Sequence, residues 1–445
     1  MSGSSTSSTL RTLRLCEKTN MTYENSLDFA KKLDATDPLK AYRDKFYFPH
    51  MNGRPVVYFT GNSLGLQPKT TQEYILNELE DWATFGVEGH FHSRKPWMPY
   101  HEMFALPVSK IVGALPQEVV VMNQLTVNLH LLMVSFYRPD KKRFKIICEE
   151  KAFPSDQYAL ESQVRFHGFD PAEAIVEVGP RAGQHCIRHE DILAEIEKNK
   201  NELALVMIGG VNYYNGQVFD MKSITRAAHK AGAFCGFDLA HAAGNIKMDL
   251  HDWNVDFACW CSYKYLNSGP GSVAGAFIHE KHLKEKNVPR FAGWWGHDKS
   301  SRFKMEKGFA PMPTAEAWQL SNAPVLSMAA HKASIDIFDE VGMDALTEKS
   351  SVLTSYLEFI LHDLNKTRSK EQYLEIITPA DKKQRGCQLS IIAHGMGKAL
   401  HDKLTLAGVI ADWREPNVIR CAPVPLYNSF EDVWRFGEIL RAALA

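Results

Sequence analysis

The chain lacks a long apolar run. Nowhere in its 445 residues do some 18 hydrophobic positions follow one another, so no segment suits a membrane-spanning helix. Charge of one sign is missing too. Its 51 Lys and Arg stand against 52 Asp and Glu, a formal net charge of −1, which offers no general field for nucleic acid or anionic lipid. Cysteine is sparse, at eight residues, and cannot build a disulfide framework in a chain of this size. Cys259 and Cys261 alternate within an apolar, strand-like run, with no second pair at zinc spacing, so they read as buried thiols and no metal site is expected. That usage implies a reducing, cytoplasmic setting. The Ser/Thr-rich start has no apolar core of the secretory kind and reads as a flexible arm over residues 1–20.

Several catalytic motifs are also absent. No G-x-x-x-x-G-K-[ST] loop occurs. The string GPGSVAG at 269–275 superficially suits a dinucleotide, but it runs into the strand-like AFI instead of a helix start. HEKH at 279–282 has the wrong spacing to set two imidazoles on one helical face.

What is present is a globular composition, 45% hydrophobic and 23% charged. Short, continuous apolar runs at 119–122, 144–148, 203–208, 234–237, 257–261 and 273–278 read as strands covered on both faces. Helical patterns, such as 156–164 and 224–231, lie between them. The fold class is therefore α/β with a largely parallel central sheet. After about residue 322 the texture changes to helices at 326–340 and 343–364, strands at 374–377 and 388–392, and helices at 398–406 and 430–444, an α+β layer. Upstream, Thr70 and Glu73 form a capping-box pattern, and Ile75, Leu79 and Trp82 recur at helical spacing as a core-facing stripe.

Doubly wound sheets bind ligands beyond the carboxyl ends of their strands. After 119–122 comes Thr126, placed as the N-cap of an apolar helix, where free N–H groups suit an anion. The strand 144–148 opens to a loop carrying Ser155 and a helix, a second such start. The run 234–237 ends in Asp238, and a buried carboxylate there needs a partner. Lys264 follows the next strand, flanked by aromatic residues. The two are either an ion pair or joint holders of one cofactor, Asp238 on a protonated pyridine nitrogen and Lys264 as an imine.

These residues resemble a specific family. DFACWCSYKYLN at 256–267, DLAH at 238–241, GNSLG at 61–65, LTVNLH at 125–130, FPSD at 153–156, GAFIHEKH at 275–282 and APVPLYNSF at 422–430 are similar to the kynureninases of animals, in the family's order and over the chain from about residue 41. The resemblance implies a homodimeric enzyme of the pyridoxal-phosphate-dependent transferase fold, type I. It implies an arm over 1–20, a segment over 21–60 packing with the small domain, a cofactor-binding domain over 61–322 and a small α+β domain over 323–445. The implied reaction is hydrolysis of L-kynurenine or 3-hydroxy-L-kynurenine to anthranilate or 3-hydroxyanthranilate plus L-alanine, with preference for the hydroxylated substrate. Another enzyme of the same fold, an aminotransferase or a cysteine desulfurase, and a non-catalytic cofactor-binding homologue are the alternatives.

By motif, the resemblance makes Lys264 the covalent anchor of pyridoxal 5'-phosphate and Asp238 the partner of its ring nitrogen, with His241 beside the ring. Leu125 and Thr126 hold the phosphate, and Phe153, Pro154, Ser155 and Asp156 line the ring side. Tyr263 binds the phosphate and exchanges protons. Trp294 of GWWG and Asn322 of SNAP reach the site, in part from the neighbouring subunit. Arg420 of VIRCAP clamps the substrate carboxylate in a planar, bidentate pair. His90 of EGH, with Ser321 and Asn322, faces the aromatic ring of the substrate. Gly209 departs from the pattern, since a serine is expected there beside the cofactor, and the departure puts that one contact in doubt.

Overall fold

The computed structural model describes residues 22–285 and 287–445, so the arm expected over 1–20 lies outside the described residues. Seven strands form the main sheet, in the order Val119–Met122, Ala274–Ile278, Phe257–Trp260, Phe234–Asp238, Leu203–Gly209, Lys145–Glu149 and Ile175–Val178. Ala274–Ile278 alone runs antiparallel to both its neighbours, and the other pairings are parallel. Four of the seven strands are buried at every residue, which is why they read as unbroken apolar runs. The seventh, Ile175–Val178, has no counterpart in the sequence reading. It is a half-exposed edge strand with Glu177 in it, so its apolar run is interrupted.

A second sheet, entirely antiparallel, takes the order Leu374–Ile376, Leu389–Ala393, Val418–Cys421 and Asp412–Arg414. Its last two strands are also absent from the sequence reading. Helices Met343–Asn365 and Phe430–Leu444 cover it, burying Leu353, Leu357, Ile360 and Leu361 against Phe430, Val433 and Phe436. Ala30, Leu33, Val57 and Phe59, from the N-terminal segment, enter the same core. The helix Phe430–Leu444 starts with a true capping box: Ser429 Oγ accepts from the Asp432 N–H at 3.0 Å and Asp432 returns the bond to the Ser429 N–H at 3.2 Å.

Two expectations for the upstream helix fail. Thr71–Phe85 forms, but Thr70 makes no side-chain cap bond. The supposed core stripe faces outward, with Leu79 39% and Trp82 61% exposed. The inward face carries Tyr74, whose hydroxyl donates to Asp336 at 2.8 Å on the helix Val325–Val341, and Glu78, which accepts from Tyr100 and Trp97. Helical spacing reports that one face is apolar; it does not report what covers it. None of the described helices is long and apolar enough to cross a membrane.

Candidate active site

Three strands of the main sheet end side by side, the outer two of them in carboxyl residues. Asp238 closes its strand in register with Gly209, and Glu149 closes the strand beyond. Lys264 follows Phe257–Trp260 in a short turn, buried, with Nζ 5.7 Å from the centroid of Phe153 and 5.9 Å from that of Tyr263. Gly65 fixes the turn from behind. Its N–H donates to the Tyr263 carbonyl at 2.8 Å, and a Cβ there would come within 2.4 Å of the Lys264 carbonyl oxygen. The GNSLG string that contains it also satisfies G-x-S-x-G, but it forms turns, and no helix follows before Thr71, so it is no nucleophile elbow.

Two helix starts open onto the same cleft. Leu125–Phe136 begins at Leu125, with Gln124 as its cap and Thr126 at the second position. Thr126 is thus not the cap, and the unpaired N–H groups of the first turn point outward for an anion. Pro154–Phe166 is capped by Phe153 without a side-chain bond, so Ser155 is not a cap either.

The electrostatics are unusual. Asp238 and Asp156 are both fully buried and hydrogen-bonded to each other, and two adjacent carboxyls cannot both ionise there. Burial first, then the neighbouring Asp238, holds Asp156 well above the usual carboxylate range. Asp238 is raised less, because the Ala240 N–H donates to it at 2.6 Å and Lys264 lies near. Asp156 is therefore the protonated donor and Asp238 the carboxylate. His241 is kept from protonating by burial and then by Lys264, Arg420 and Arg414, and its Nε2 is 3.1 Å from the Lys264 amine. Burial, then Cys261, raises the Tyr263 phenol. Cys259 and Cys261 are buried with their thiols pushed up by desolvation, as expected of packing groups.

The cleft brings together Leu125, Thr126, Phe153, Ser155, Asp156, Gly209, Asp238, His241, Tyr263 and Lys264. Pro154 opens the second helix beside them. Arg420 is buried behind the cleft wall, its Nη1 donating to the Tyr213 carbonyl at 2.7 Å and its Nε to Asp412 at 2.6 Å. Four expected residues do not join the cleft within one chain. Trp294 is 49% exposed, with its indole N–H on the Arg302 carbonyl. Ser321 and Asn322 are exposed. His90 packs on Trp97 and its Nδ1 is 2.9 Å from the Val87 carbonyl. Sequence reasoning missed Glu149, Tyr213 and Asp412. Glu149 could have been found by the rule that picked Asp238, a carboxylate ending an apolar strand.

The cleft fits pyridoxal phosphate. Asp156 Oδ1, His241 Nδ1 and Glu149 Oε2 are buried polar atoms without a partner, facing a space that has an anion-binding helix start at one end and an amine in the middle. A metal has weaker grounds. Glu118, His251 and His279 converge, but Glu118 already accepts from His251 and from the Leu115 and Glu280 N–H groups, and His279 Nδ1 accepts from Lys281.

Comparison with known proteins follows the same line. The family model for the kynureninase C-terminal domain matches residues 346–440. The kynureninase of Flavobacterium johnsoniae is 62% identical over 424 residues, covering 95% of this chain and 99% of that protein. That of the sea anemone Nematostella vectensis is 49% identical over 453 residues, 97% of each. Among solved structures, the cysteine desulfurase CsdA of Escherichia coli superposes with a TM-score of 0.72 at 15% identity, over 91% of this chain and 98% of that one. A C-DES variant with glycine covalently linked to its PLP cofactor superposes at 0.70 and 15%, over 86% and 96%. These low identities carry the fold, pyridoxal-phosphate-dependent type I, and nothing finer. At 49 to 62% identity over nearly its whole length, the chain belongs to the kynureninase family.

Proposed function

We propose that the chain hydrolyses the Cβ–Cγ bond of L-kynurenine and 3-hydroxy-L-kynurenine, releasing anthranilate or 3-hydroxyanthranilate and L-alanine. The cofactor is pyridoxal 5'-phosphate, anchored on Lys264, and the setting is tryptophan catabolism toward NAD. The observation that carries this reading is the Lys264 amine beside a neutral His241, with the Asp238–Asp156 pair at the next strand end, in a chain of this family. A desulfurase would need a mobile cysteine, and every described cysteine except the half-buried Cys186 is buried.

Bound pyridoxal phosphate supplies the electron sink for charge that develops on the substrate's α-carbon. The chain's own residues then divide the work. N–H groups of the first turn of Leu125–Phe136, with the Thr126 hydroxyl, hold the phosphate. Asp238 keeps a proton on the ring nitrogen, and Asp156 donates to Asp238 so that its carboxylate stays aimed. The Lys264 amine would take the α-proton, and His241, kept neutral 3.1 Å away, would not set a second positive charge beside the ammonium that results. Water adds its oxygen to the γ-carbonyl carbon as the Cβ–Cγ bond breaks, and Tyr263, held protonated, can give the proton that the β-carbon takes up. Arg420 binds the substrate carboxylate in place of Asp412. Trp294, Ser321, Asn322 and His90 reach the cleft across a homodimer; the exposed apolar face of Thr71–Phe85, continued by Val87 and Phe91, supports that assembly. We place the enzyme in the cytoplasm, divided into a cofactor-binding domain over 61–322 and a small domain over 323–445.

Lys264→Ala removes the amine that colours the enzyme. The purified variant should show no visible cofactor band and no alanine release from either kynurenine; a retained band with full turnover refutes the assignment. The ratio of kcat/KM for the two substrates on one wild-type preparation tests the preference for the hydroxylated one, and equal values remove the hydroxyl-selective role of His90 and Asn322.

A further inference from the structure

Glu149 is a buried carboxyl that the reaction sketched above does not use. It ends the strand Lys145–Glu149, lines the cleft, and leaves Oε2 without a hydrogen-bond partner. Between it and Asp238 lies only the strand that ends in Gly209. A Cβ on Gly209 would fall 3.0 Å from Glu149 Oε1, so the missing side chain leaves the space over which the carboxyl reaches. The Asn212 side chain and the Gly209 N–H face it and favour its charged form, while burial and then Asp238 oppose that form and push the carboxyl up to about 7. Asp156 from the helix Pro154–Phe166 and the Tyr213 phenol face it as well, Cys148 adjoins it on its own strand, and Lys264 and His241 complete the cleft.

We propose that Glu149 is a positioning residue for the cofactor: reaching across Gly209 toward Asp238, it adds a negative charge that strengthens the hold on the protonated ring nitrogen. A carboxyl beside Asp238 favours a cation in the cleft only when it is ionised. Its contribution to cofactor affinity is therefore absent when Glu149 is protonated and present once it is not. The inference rests on Lys264 and Asp238 being the cofactor's anchors.

The test measures the dissociation constant of pyridoxal 5'-phosphate from the cofactor-stripped full chain, by quenching of protein fluorescence, at about pH 6 and about pH 8.5. Glu149→Gln keeps the shape and removes the charge. It should bind the cofactor nearly as wild type does at the lower pH, and about fivefold or more weakly at the higher. Gly209→Ala, whose added carbon crowds Oε1, should show the same pH-dependent loss and decides the matter alone if the glutamine variant does not fold. A loss of equal size at both pH values, which a merely structural role would give, or no loss at the higher pH, overturns the proposal. Failure of the underlying reading looks different: Lys264→Ala would then keep the visible band, whatever the Glu149 variants do.

Discussion

Asp256 shows how much one side chain can organise here. Fully buried at the start of the strand Phe257–Trp260, it accepts from His229 at 2.7 Å, from His282 and Lys281 at 2.8 Å each, and from the Cys235 N–H at 2.7 Å. Burial alone would raise its pKa, but the His229 and His282 bonds and the Lys281 charge outweigh it and hold the carboxyl far below the usual range. A folded pKa below the unfolded value of about 3.9 gives stability that is present above that pH and lost as pH falls below it. Asp256→Asn leaves two imidazoles and an ammonium facing an amide, and should cost about 3–5 kcal/mol of unfolding free energy near neutrality. Urea titrations across pH should show the gap between variant and wild type narrowing below about pH 4; a gap that stays constant there would mean the carboxylate charge is not what matters. Asp256 stood in the sequence only as part of a motif string, because a carboxylate's partners on three other elements cannot be read from its own neighbours. Asp238 and Lys264 were legible because strand ends announce themselves. Asp412, which holds Arg420, was not, because its strand is three residues long and half-buried.

Among the elements, the main-sheet strands buried on both faces were readable to within about one residue, since apolar runs end where the backbone leaves the sheet; Val418–Cys421 in the second sheet, just as buried, was not, because Arg420 interrupts its run. The half-exposed strands Ile175–Val178 and Asp412–Arg414 were not, because a polar residue breaks the run. Two helix starts were read two residues late: Thr126 and Ser155, taken for caps, both sit at the second helical position. The helix Thr71–Phe85 is the instructive miss. Its apolar residues were taken for core, yet Leu76, Leu79, Trp82 and Phe85 are exposed and the inward face is partly polar. Apolar exposure on this scale marks an interaction surface, and a second copy is the occupant proposed for it. Leu79→Glu with Trp82→Glu places two charges on that surface without touching the inward bonds of Tyr74 and Glu78. Sedimentation should show the double variant as a monomer with a circular dichroism spectrum like that of wild type. An unchanged dimer mass would locate the interface elsewhere.

On the scale of the whole molecule, one loop of the main sheet makes a cluster of bonds to the second sheet. Tyr213, Tyr214 and Asn215 offer their carbonyls to Arg420, Ser390 and Thr378, and Gln388 adds a bond to Tyr213. The loop thereby ties Arg420, the proposed carboxylate clamp, to the wall of the cleft. Within one chain the cleft then lacks two of the residues expected beside the cofactor, since Asn322 and Trp294 lie on the surface. If Asn322 serves the neighbour's cleft, two inactive variants should repair each other. A Lys264→Ala chain has no working site of its own but still presents Asn322, and an Asn322→Ala chain still presents Lys264. Their mixed dimer contains one site with both residues intact and one with neither. Random reassociation of equal amounts puts half the chains in mixed dimers, each with one working site of two, so the mixture should recover about a quarter of wild-type activity. If Asn322 instead acts in its own chain, both sites of the mixed dimer lack one residue, and mixing returns nothing beyond the two parents' own rates. The outcome turns on geometry alone, because each variant contributes the same chains before and after mixing.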